Sequence, residues 1–358
     1  MAQGENKDLR LAVVILNWNG EGFLRRFLPG VIEHSTGEYA PEGCQVTVVV
    51  ADNASTDDSV QWLEESYVQP GDERVRVIVF DDNYGFTGGY NRALDHECLA
   101  GYDYFLLLNS DVDVTSGWLV PLMADMTNDD RVGAVMPKLL AYGREEYFEY
   151  AGACGGFLDV LGYPFCRGRI FGTVEKDAGQ YDTVREVFWA SGASMLVRAD
   201  LWHRLGGLDE SFFAHMEEID FCWRLHREGY KVLVCPQSVV YHVGGGALPA
   251  TSPWKTYLNF RNNLAMLYKN LSRVFFAGVY FVRFWADGLQ AVAYLLTGKT
   301  SFAGAVFRGH RDFWLRMRKK LEWRREKGRF ALPEKKIFYR GSVVLRYLSG
   351  RRTFGNMM

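Results

Sequence analysis

The sequence predicts an α/β fold built around a parallel sheet, and three observations lead to that expectation. Short apolar runs recur along the first two thirds of the chain, and each is followed by a polar or glycine-rich cluster. Segments with apolar residues at helical spacing lie between these runs. Strands that alternate with helices predict a parallel sheet with right-handed crossovers.

Four buried strands are expected in the N-terminal part of the chain. They cover residues 11–16, 46–50, 75–80 and 104–108, and they consist almost wholly of apolar or aromatic residues. The carboxyl ends of parallel strands share one edge of a sheet, where ligands of such folds bind. We therefore expect the polar side chains that follow the strands to converge there, namely Asn17, Asp52, Asn83 and Asp111.

Two carboxylates one residue apart, Asp111 and Asp113, follow the fourth strand. Together they would form a hard oxygen site suited to Mg²⁺ or Mn²⁺. The alternative is an ordinary helix cap, because Asp, Ser and Asn are the preferred capping residues.

A glycine-rich segment opens the helix after the third strand. Gly85, Gly88 and Gly89 are expected to leave backbone amides open beside the helix N-terminus, an arrangement that suits phosphate groups. The segment lacks the G-x-G-x-x-G spacing and the P-loop lysine. Neither a Rossmann oxidoreductase nor a P-loop NTPase is therefore favoured.

Candidate acid–base residues come later in the chain. Residues 143–185 are expected to form irregular strands and loops over the sheet edge where an acceptor enters, and residues 187–197 a strand interrupted by small residues at 191–193. A helix then opens within 212–225 and has Glu217, Glu218 and Asp220 in its first turn. These carboxylates either complement the helix dipole or supply a general base beside the metal site. His242, in a glycine-rich loop at the predicted sheet edge, is a candidate ligand.

The order of these motifs resembles the family-2 glycosyltransferases with the GT-A fold, in particular bacterial enzymes like the rhamnosyl- and galactofuranosyltransferases. Seven motifs carry the resemblance over roughly residues 10–250. They lie at residues 13–20 (VVILNWNG), 51–57 (ADNASTD), 83–91 (NYGFTGGYN), 107–111 (LLNSD), 206–213 (GGLDESFF), 217–220 (EEID) and 241–246 (YHVGGG).

The resemblance implies roles for individual residues. Asp52 stands where the family has the Asp that pairs with the nucleotide base, and Asp111 ends a D-x-D motif whose first position is Asn109. Glu218 is the expected base, although the family usually has Asp there, and Glu217 and Asp220 are the other candidates. The expected donor-binding residues are Asn17, Asp52, Asn83, Gly88, Gly89, Asn91, Asn109 and Asp111, and the expected ligands of Mn²⁺ or Mg²⁺ are Asp111, Asp113 and His242.

The implied activity is transfer of a sugar, with inversion, from a nucleoside-diphosphate donor of the dTDP-rhamnose or UDP-hexose type. The acceptor would be a hydroxyl of a glycan or lipid-linked saccharide, in polysaccharide synthesis for the bacterial cell envelope. The alternative is an inactive relative that only binds a nucleotide sugar or glycan. A nucleotidyltransferase is disfavoured because its usual glycine- and lysine-rich signature near the first strand is missing.

The charge distribution divides the chain. Residues 1–250 are expected to form the GT-A catalytic domain, and residues 251–358 a helical, basic C-terminal extension. Residues 301–358 contain 16 Lys and Arg against four Asp and Glu, whereas the first 300 residues contain 25 against 39. Such a basic tail suits an anionic membrane surface or nucleic acid. We expect no nucleic-acid partner, because the sequence has no motif for one.

The apolar segment 274–296 determines the expected location. Arg283 and Asp287 in its middle argue against a span that faces lipid, so an interfacial amphipathic helix or helical hairpin is expected. A helix packed on the sheet domain is the alternative. The polar first ten residues resemble no secretory signal, and the six cysteines lack Cys-x-x-Cys spacing. The expected location is the cytoplasm, peripheral on the inner face of the cytoplasmic membrane.

Overall fold

The computed structural model describes residues 8–68, 74–244, 252–325 and 337–357 of the 358-residue chain. The helices in these ranges are α1 (Glu21–Ser35), α2 (Ser59–Tyr67), α3 (Gly85–Leu94), α4 (Leu119–Asn128), α5 (Ala199–Leu205), α6 (Glu217–Arg227), α7 (Pro253–Asn270), α8 (Arg273–Leu296), α9 (Thr300–Asp312), α10 (Arg318–Arg325) and α11 (Val343–Leu348). The strands are β1 (Leu9–Asn17), β2 (Cys44–Asp52), β3 (Val75–Val79), β4 (Tyr104–Asn109), β5 (Val112–Val114), β6 (Val132–Ala141), β7 (Arg144–Phe148), β8 (Gly156–Asp159), β9 (Pro164–Cys166), β10 (Arg169–Ile170), β11 (Thr173–Val174), β12 (Arg185–Val187), β13 (Ser194–Arg198), β14 (Lys231–His242) and β15 (Phe338–Tyr339).

A mixed sheet forms the core. Its strands lie in the order β12-β14-β6-β13-β4-β1-β2-β3, with β5 beside β14 and β7 beside β6. Strands β1 to β4 pair in parallel, whereas β13 runs antiparallel between β4 and β6. The four strands expected from the sequence lie in β1 to β4, and the predicted α/β class is confirmed.

The apolar runs of β1 and β4 are long because both faces of these strands are covered. Residues 11–15 and 105–108 are at most 2 % exposed. A strand buried on both faces needs apolar side chains at every position rather than at alternate ones. Polar residues come where the covered part of each strand stops, at Asn17 in β1 and at Asn109 in β4.

A second, smaller sheet has the order β11-β10-β9-β8-β15. It contains the irregular strands expected for the middle of the chain, and a bridge between Gly156 and Trp189 joins it to the region of the central sheet. Its edge strand β15 comes from the C-terminal part of the chain and pairs in parallel with β8. Phe354 then packs on Phe157, with ring centroids 5.0 Å apart. Residues 337–357 thus return to the body of the molecule, which the sequence pattern did not predict.

Two buried ionisable residues attach α8 to the small sheet. Arg283 and Asp287 form an ion pair at 3.0 Å, and they are 2 % and 1 % exposed. Arg283 also donates to the backbone oxygen of Leu161 (3.0 Å), while Asp287 accepts from the Tyr163 hydroxyl (2.9 Å). In the part of the chain that the structure describes, no helix has both the length and the hydropathy that crossing a membrane requires.

Candidate functional site

The carboxyl ends of β1, β2 and β4 lie side by side at one edge of the central sheet. Asn17, the last residue of β1, is in register with Asp52, the last residue of β2. Leu16 is in register with Asn109, the last residue of β4. The parallel pairing therefore places three of the candidate residues on adjacent strand ends.

Asp52 is fully buried in a hydrogen-bonded turn. Its Oδ1 accepts from Asn17 Nδ2 (2.8 Å) and from Ser55 Oγ (2.6 Å), and its Oδ2 accepts from the Ser55 backbone N–H (2.8 Å). Each carboxylate oxygen has two lone pairs, so Oδ2 can accept one further hydrogen bond. Sequence reasoning missed Ser55, although it lies within the motif at residues 51–57.

Asn83 and Asn91 hold the neighbouring loops in place. Asn83 Oδ1 accepts from Asn53 Nδ2 and from the Gly85 backbone N–H, both at 2.9 Å. Asn91 pairs with the backbone of Leu208 through both its amide nitrogen (2.8 Å) and its oxygen (2.9 Å). Both side chains therefore connect separate segments around the edge of the sheet.

Gly88 and Gly89 lie inside α3 rather than before it. In a regular α-helix that begins at residue 85, their N–H groups donate to the carbonyls of residues 84 and 85. A Cβ on Gly89 would lie 2.7 Å from the Leu16 side chain, and one on Gly88 would lie 3.0 Å from Tyr84 Cβ. The expectation that these two positions offer open amides is therefore corrected, because the structure uses them for close packing.

Asp111, His242 and Glu149 form a buried cluster. The Nε2 atom of His242 lies 3.1 Å from Asp111 Oδ1, and its Nδ1 lies 3.4 Å from Glu149 Oε1. The Asn109 amide nitrogen lies 3.4 Å from the same Nε2. All three ionisable side chains are no more than 6 % exposed. The glycines at 245 and 246, which belong to the motif at 241–246, lie outside the described residues.

The two carboxylates determine the protonation of the imidazole. Burial alone would lower the pKa of His242, but the hydrogen bonds and charges of Asp111 and Glu149 raise that pKa to about 10. Burial would likewise raise the pKa of Asp111, but the hydrogen bond and charge of His242 hold it below its usual value. Near neutral pH, and before any cation binds, His242 is therefore an imidazolium paired with the Asp111 carboxylate.

Asp113 is not brought to this cluster. Strand β5 pairs with β14 so that Asp113 lies opposite Tyr241, while His242 lies opposite Val112. Neighbours along a strand point to opposite faces, so Asp113 and His242 point to opposite sides of the pair. Asp111 precedes β5 in a turn and is free of that constraint. The second carboxylate beside His242 is Glu149, not Asp113.

Glu217 and Glu218 begin α6 in a nearly dry environment. Glu217 is 4 % exposed and Glu218 is half-buried, and one carboxylate oxygen of each has no hydrogen-bond partner. Burial raises the pKa of Glu218 to about 7. Burial together with the charge of Glu218 raises the pKa of Glu217 well above its usual value. Two neighbouring buried carboxyl groups disfavour charge on both at once, which suits one of them to acid–base chemistry near neutral pH.

A strained loop sets the start of α6, which begins at residue 217 rather than at 212. Phe213, His215 and Met216 have φ angles of 68°, 69° and 76°, a conformation that is uncommon for residues with a Cβ. Asn262 of α7 stabilises the loop, because its amide nitrogen lies 2.7–2.9 Å from the carbonyl oxygens of residues 212, 214 and 215. Strain of this kind persists only where the surroundings hold it, and it concentrates at functional sites.

The loop at residues 191–193 contacts both the end of β4, at Asn109, and the start of α6, at Glu218. The Asn109 backbone N–H donates to the carbonyl of Ala193 (3.0 Å). A Cβ on Gly192 would lie 3.9 Å from Glu218 Cβ and 3.2 Å from the Phe86 ring. The lack of a side chain at Gly192 therefore lets this loop pack closely against Phe86 and Glu218. The sequence predicted that another group could approach closely here.

Asp220, the third acidic candidate, belongs to a buried ion-pair network. Its Oδ2 accepts from Lys269 Nζ (2.6 Å) and Arg224 Nε (3.0 Å), and its Oδ1 accepts from Asn270 (2.8 Å). Burial would raise the pKa of Asp220, but the charges of Lys269 and Arg224 lower it. Both oxygens are engaged and the residue is 0 % exposed, so the geometry gives Asp220 a structural role.

We expect Lys269→Met to destabilise the protein by about 3–5 kcal/mol, because it removes the buried cation that Asp220 and Asp209 share and leaves Asp220 with Arg224. Urea unfolding followed by circular dichroism measures this free energy. The matched control is Lys231→Met, which breaks the more exposed pair with Asp129 and should cost at most about 1 kcal/mol. Equal costs for the two variants would contradict the structural role of the network.

Comparison with known proteins supports the fold and the family. Residues 12–157 match the sequence model of glycosyl transferase family 2. The N-acetylglucosaminyl-diphospho-decaprenol L-rhamnosyltransferase of Mycobacterium tuberculosis is 28 % identical over 244 residues, which cover 65 % of this chain and 75 % of that protein.

Solved structures resemble the chain over most of its length. GalNAc-T7, crystallised with UDP, GalNAc and Mn²⁺, aligns with a TM-score of 0.59 and 15 % identity, over 90 % of this chain and 57 % of its own. Residues 1–349 of TarS from S. aureus, in complex with UDP-GlcNAc, align with a TM-score of 0.54 and 14 % identity, over 87 % of this chain and 83 % of theirs. At these identities the likeness concerns the fold, and it confirms the predicted GT-A architecture with a helical C-terminal region.

Proposed function

Since this chain carries a glycosyl transferase family 2 domain on a GT-A fold, we propose that it is an inverting transferase for nucleoside-diphosphate sugars. The sugar would pass to a hydroxyl of a glycan or lipid-linked saccharide in cell-surface polysaccharide synthesis. The observation that carries the proposal is the loop at 191–193, which has Glu218 on one side and Asn109, next to the Asp111–His242 pair, on the other. A proton acceptor and a group of metal-ligand types thus lie on either side of one short loop.

Two observations suggest the kind of sugar donor: the names and ligands of similar proteins, and the side chains at the ends of β1 and β2. The mycobacterial relative is named an L-rhamnosyltransferase, and the solved neighbours contain UDP or UDP-GlcNAc. We propose a dTDP-rhamnose or UDP-hexose donor for this chain. Asp52 would accept from the base through Oδ2, with Asn17 and Ser55 holding the carboxylate in place.

A divalent cation, Mn²⁺ or Mg²⁺, fits the residues present. Asp111 and His242 offer a carboxylate oxygen and an imidazole nitrogen that already lie 3.1 Å apart. Both are ligand types that Mn²⁺ accepts, and the imidazole would release its Nε2 proton to solvent as the ion binds. Within the described ranges no three Asp, Glu, His or Cys side chains form a metal cluster by themselves. Oxygens of the donor diphosphate would have to complete the ligand set. When bound, such an ion offsets the charge that develops on the departing diphosphate.

Glu149 would orient His242 toward that ion. A carboxylate at Nδ1 fixes the tautomer of a ligating imidazole and leaves Nε2 to face the metal. We expect Glu149→Gln to lower the affinity for Mn²⁺ about 10–100-fold, as measured by electron paramagnetic resonance of free Mn²⁺. Glu175→Gln, which removes a carboxylate outside the cluster, is the control and should bind Mn²⁺ like the wild type. Unchanged affinity in Glu149→Gln would contradict the orienting role.

The chemical step would be carried by the two carboxyl groups at the start of α6. Burial and the charge of Glu218 raise the pKa of Glu217 well above its usual value and favour its neutral form, and Glu218, with its pKa raised to about 7, would provide the carboxylate. Glu218 would remove the proton from the acceptor hydroxyl as that oxygen attacks the anomeric carbon. A single displacement of this kind inverts the configuration of the sugar.

An inactive, sugar-binding relative is the second candidate. The observation in its favour is Glu218 itself, which replaces the Asp expected from the family resemblance and is one methylene longer. Release of nucleoside diphosphate from a panel of dTDP-, UDP- and GDP-sugars, with and without Mn²⁺ and with lipid-linked acceptors, separates the two. Metal-dependent turnover of one donor supports the transferase, whereas tight binding without turnover of any donor supports the inactive relative.

A further inference from the structure

Helix α8 has an outward face that is almost entirely apolar. We define the outward face of α8 as its exposed apolar side chains, which are Val274, Phe275, Phe281, Val282, Phe284, Trp285, Leu289, Val292, Leu295 and Leu296. Phe281, Trp285 and Leu289 are 66 %, 62 % and 71 % exposed. Apolar patches of this extent on a protein surface mark sites of interaction with a membrane or another protein.

Two charged side chains lie on the buried side of α8, together with the apolar Phe276, Val279 and Ala291. Its buried side carries Arg283 and Asp287, which pair with each other and with groups of the body, among them His310, whose Nε2 lies 3.0 Å from Asp287. A surface helix normally buries its apolar side and exposes its charges. Arg283 and Asp287, whose charges suggested in the sequence that this segment avoids lipid, therefore point into the protein. Their buried contacts hold α8 with its apolar side toward the exterior.

An apolar groove opens beside this face. It has a volume of about 640 Å³ and is lined mainly by aromatic side chains from α7, α8 and the turn after α9, with Trp285 and Trp314 among them. Arg273 and Arg318 also line it. Aromatic rings next to basic side chains are typical of the interface between the hydrocarbon and the headgroups of a bilayer.

The exposed charges that follow α8 along the described chain are cationic. Between residues 273 and 321 every exposed charged side chain is cationic, and these are Arg273, Lys299, Arg308, Arg311, Arg316, Arg318, Lys319 and Lys320. The two acids of this stretch, Asp287 and Asp312, are buried and paired. An apolar face followed along the described chain by exposed cations suits a surface that offers hydrocarbon beneath a layer of negative charge.

We propose that the outward face of α8 docks on an anionic lipid bilayer, with its apolar side chains in one leaflet and the flanking cations at the lipid phosphates. This inference goes beyond the proposed transferase activity and does not depend on it. The ion pair of Arg283 and Asp287 holds α8 against the body, so the helix lies in the interface instead of crossing it.

Vesicle flotation of the full-length protein tests the proposal. The wild type should float with vesicles of phosphatidylcholine and phosphatidylglycerol and much less with phosphatidylcholine alone. The triple variant Phe281→Ser, Trp285→Ser, Leu289→Ser should lose at least about tenfold in partitioning. Val79→Ser, Val120→Ser, Val184→Ser, which changes exposed apolar residues on other elements, is the matched control and should float like the wild type.

Further measurements keep the result interpretable. Circular dichroism and donor turnover in the absence of lipid should be equal in all three proteins, so that loss of flotation is distinct from loss of folding or of activity. Flotation of the triple variant like the wild type, or equal binding to neutral and anionic vesicles, would overturn the proposal. A wild type that does not float and sediments as a dimer, which the triple variant abolishes, would also overturn it and would make the face a contact between two copies of the chain.

Discussion

Replacing Glu218 with Gln is expected to reduce the turnover number at least about 100-fold while leaving donor affinity unchanged, because the amide cannot accept the proton of the acceptor hydroxyl. Gln keeps the volume and the position at the start of α6, so the loop at 213–216 should be undisturbed. Steady-state transfer kinetics together with calorimetric titration of the nucleotide measure the two quantities separately.

Glu217→Gln is the matched control for this experiment. Glu217 is almost fully buried, and burial together with the charge of Glu218 raises its pKa well above its usual value, so the uncharged amide resembles the form that the site favours. Its amide variant should retain most of the activity, and removal of a neighbouring acid should shift the pH profile only modestly. A larger loss of turnover in Glu217→Gln than in Glu218→Gln would transfer the role of base to Glu217.

The pH dependence follows from the same carboxyl group. Burial raises the pKa of Glu218 to about 7, so the group is protonated below that pH and carries the required charge above it. A base must be deprotonated, and kcat/KM should therefore rise with pH through about 7 and then level off. The profile of free Asp or Glu would instead level off near pH 4–5, with a midpoint at about 4.

Asp111→Ala is expected to lower the affinity for Mn²⁺ by more than about 100-fold, and turnover with it, because it removes a direct oxygen ligand. Electron paramagnetic resonance of free Mn²⁺ measures the affinity without relying on activity. The variant also removes one of the two carboxylates that raise the pKa of His242. Titration of that imidazole by nuclear magnetic resonance should therefore show a lower pKa.

Asp113→Ala is the matched control, because it removes a carboxylate that lies opposite Tyr241 and points away from His242. It should bind Mn²⁺ like the wild type. Equal losses of Mn²⁺ affinity in the two variants would show that both carboxylates reach the ion, as the spacing in the sequence alone suggested.

The parts of the structure that the sequence predicted depend on local patterns. Residues 11–15 of β1 and 105–108 of β4 are apolar at every position because they are buried on both faces, and the polar ends of the two strands follow within two residues. The convergence of Asn17 with Asp52 follows from the parallel pairing of such strands. These features need no information about distant parts of the chain.

The parts that were missed depend on distant contacts or on backbone detail. Glu149 lies 93 residues before His242 in a region without regular periodicity, so nothing local marks it as a partner of the imidazole. The pairing of β15 with β8 joins segments about 180 residues apart. In the sequence, Asp111 and Asp113 have a spacing that suits a common site. In the structure, Asp111 lies in the turn before β5 and Asp113 lies within β5, so the two side chains reach different places.

Contacts cross the boundary that the sequence predicts near residue 250, between the catalytic domain and the C-terminal extension. Asn262 of α7 holds the loop that precedes Glu217 and Glu218, and Lys269 of α7 pairs with Asp220 of α6. The helices after residue 251 therefore contribute contacts that position the proposed base. We expect a chain shortened to residues 1–250 to lose these contacts and the activity that depends on them.

The most direct test of the proposed transferase is a proton NMR time course of the full-length protein with Mn²⁺, the donor identified in the panel and a lipid-linked acceptor. We predict that the donor signal decays, that nucleoside diphosphate accumulates, and that the product has the anomeric configuration opposite to that of the donor, all of which should stop in Glu218→Gln. Retention of configuration would contradict the single displacement with Glu218 as base. Donor that binds but is never consumed would contradict the transferase itself.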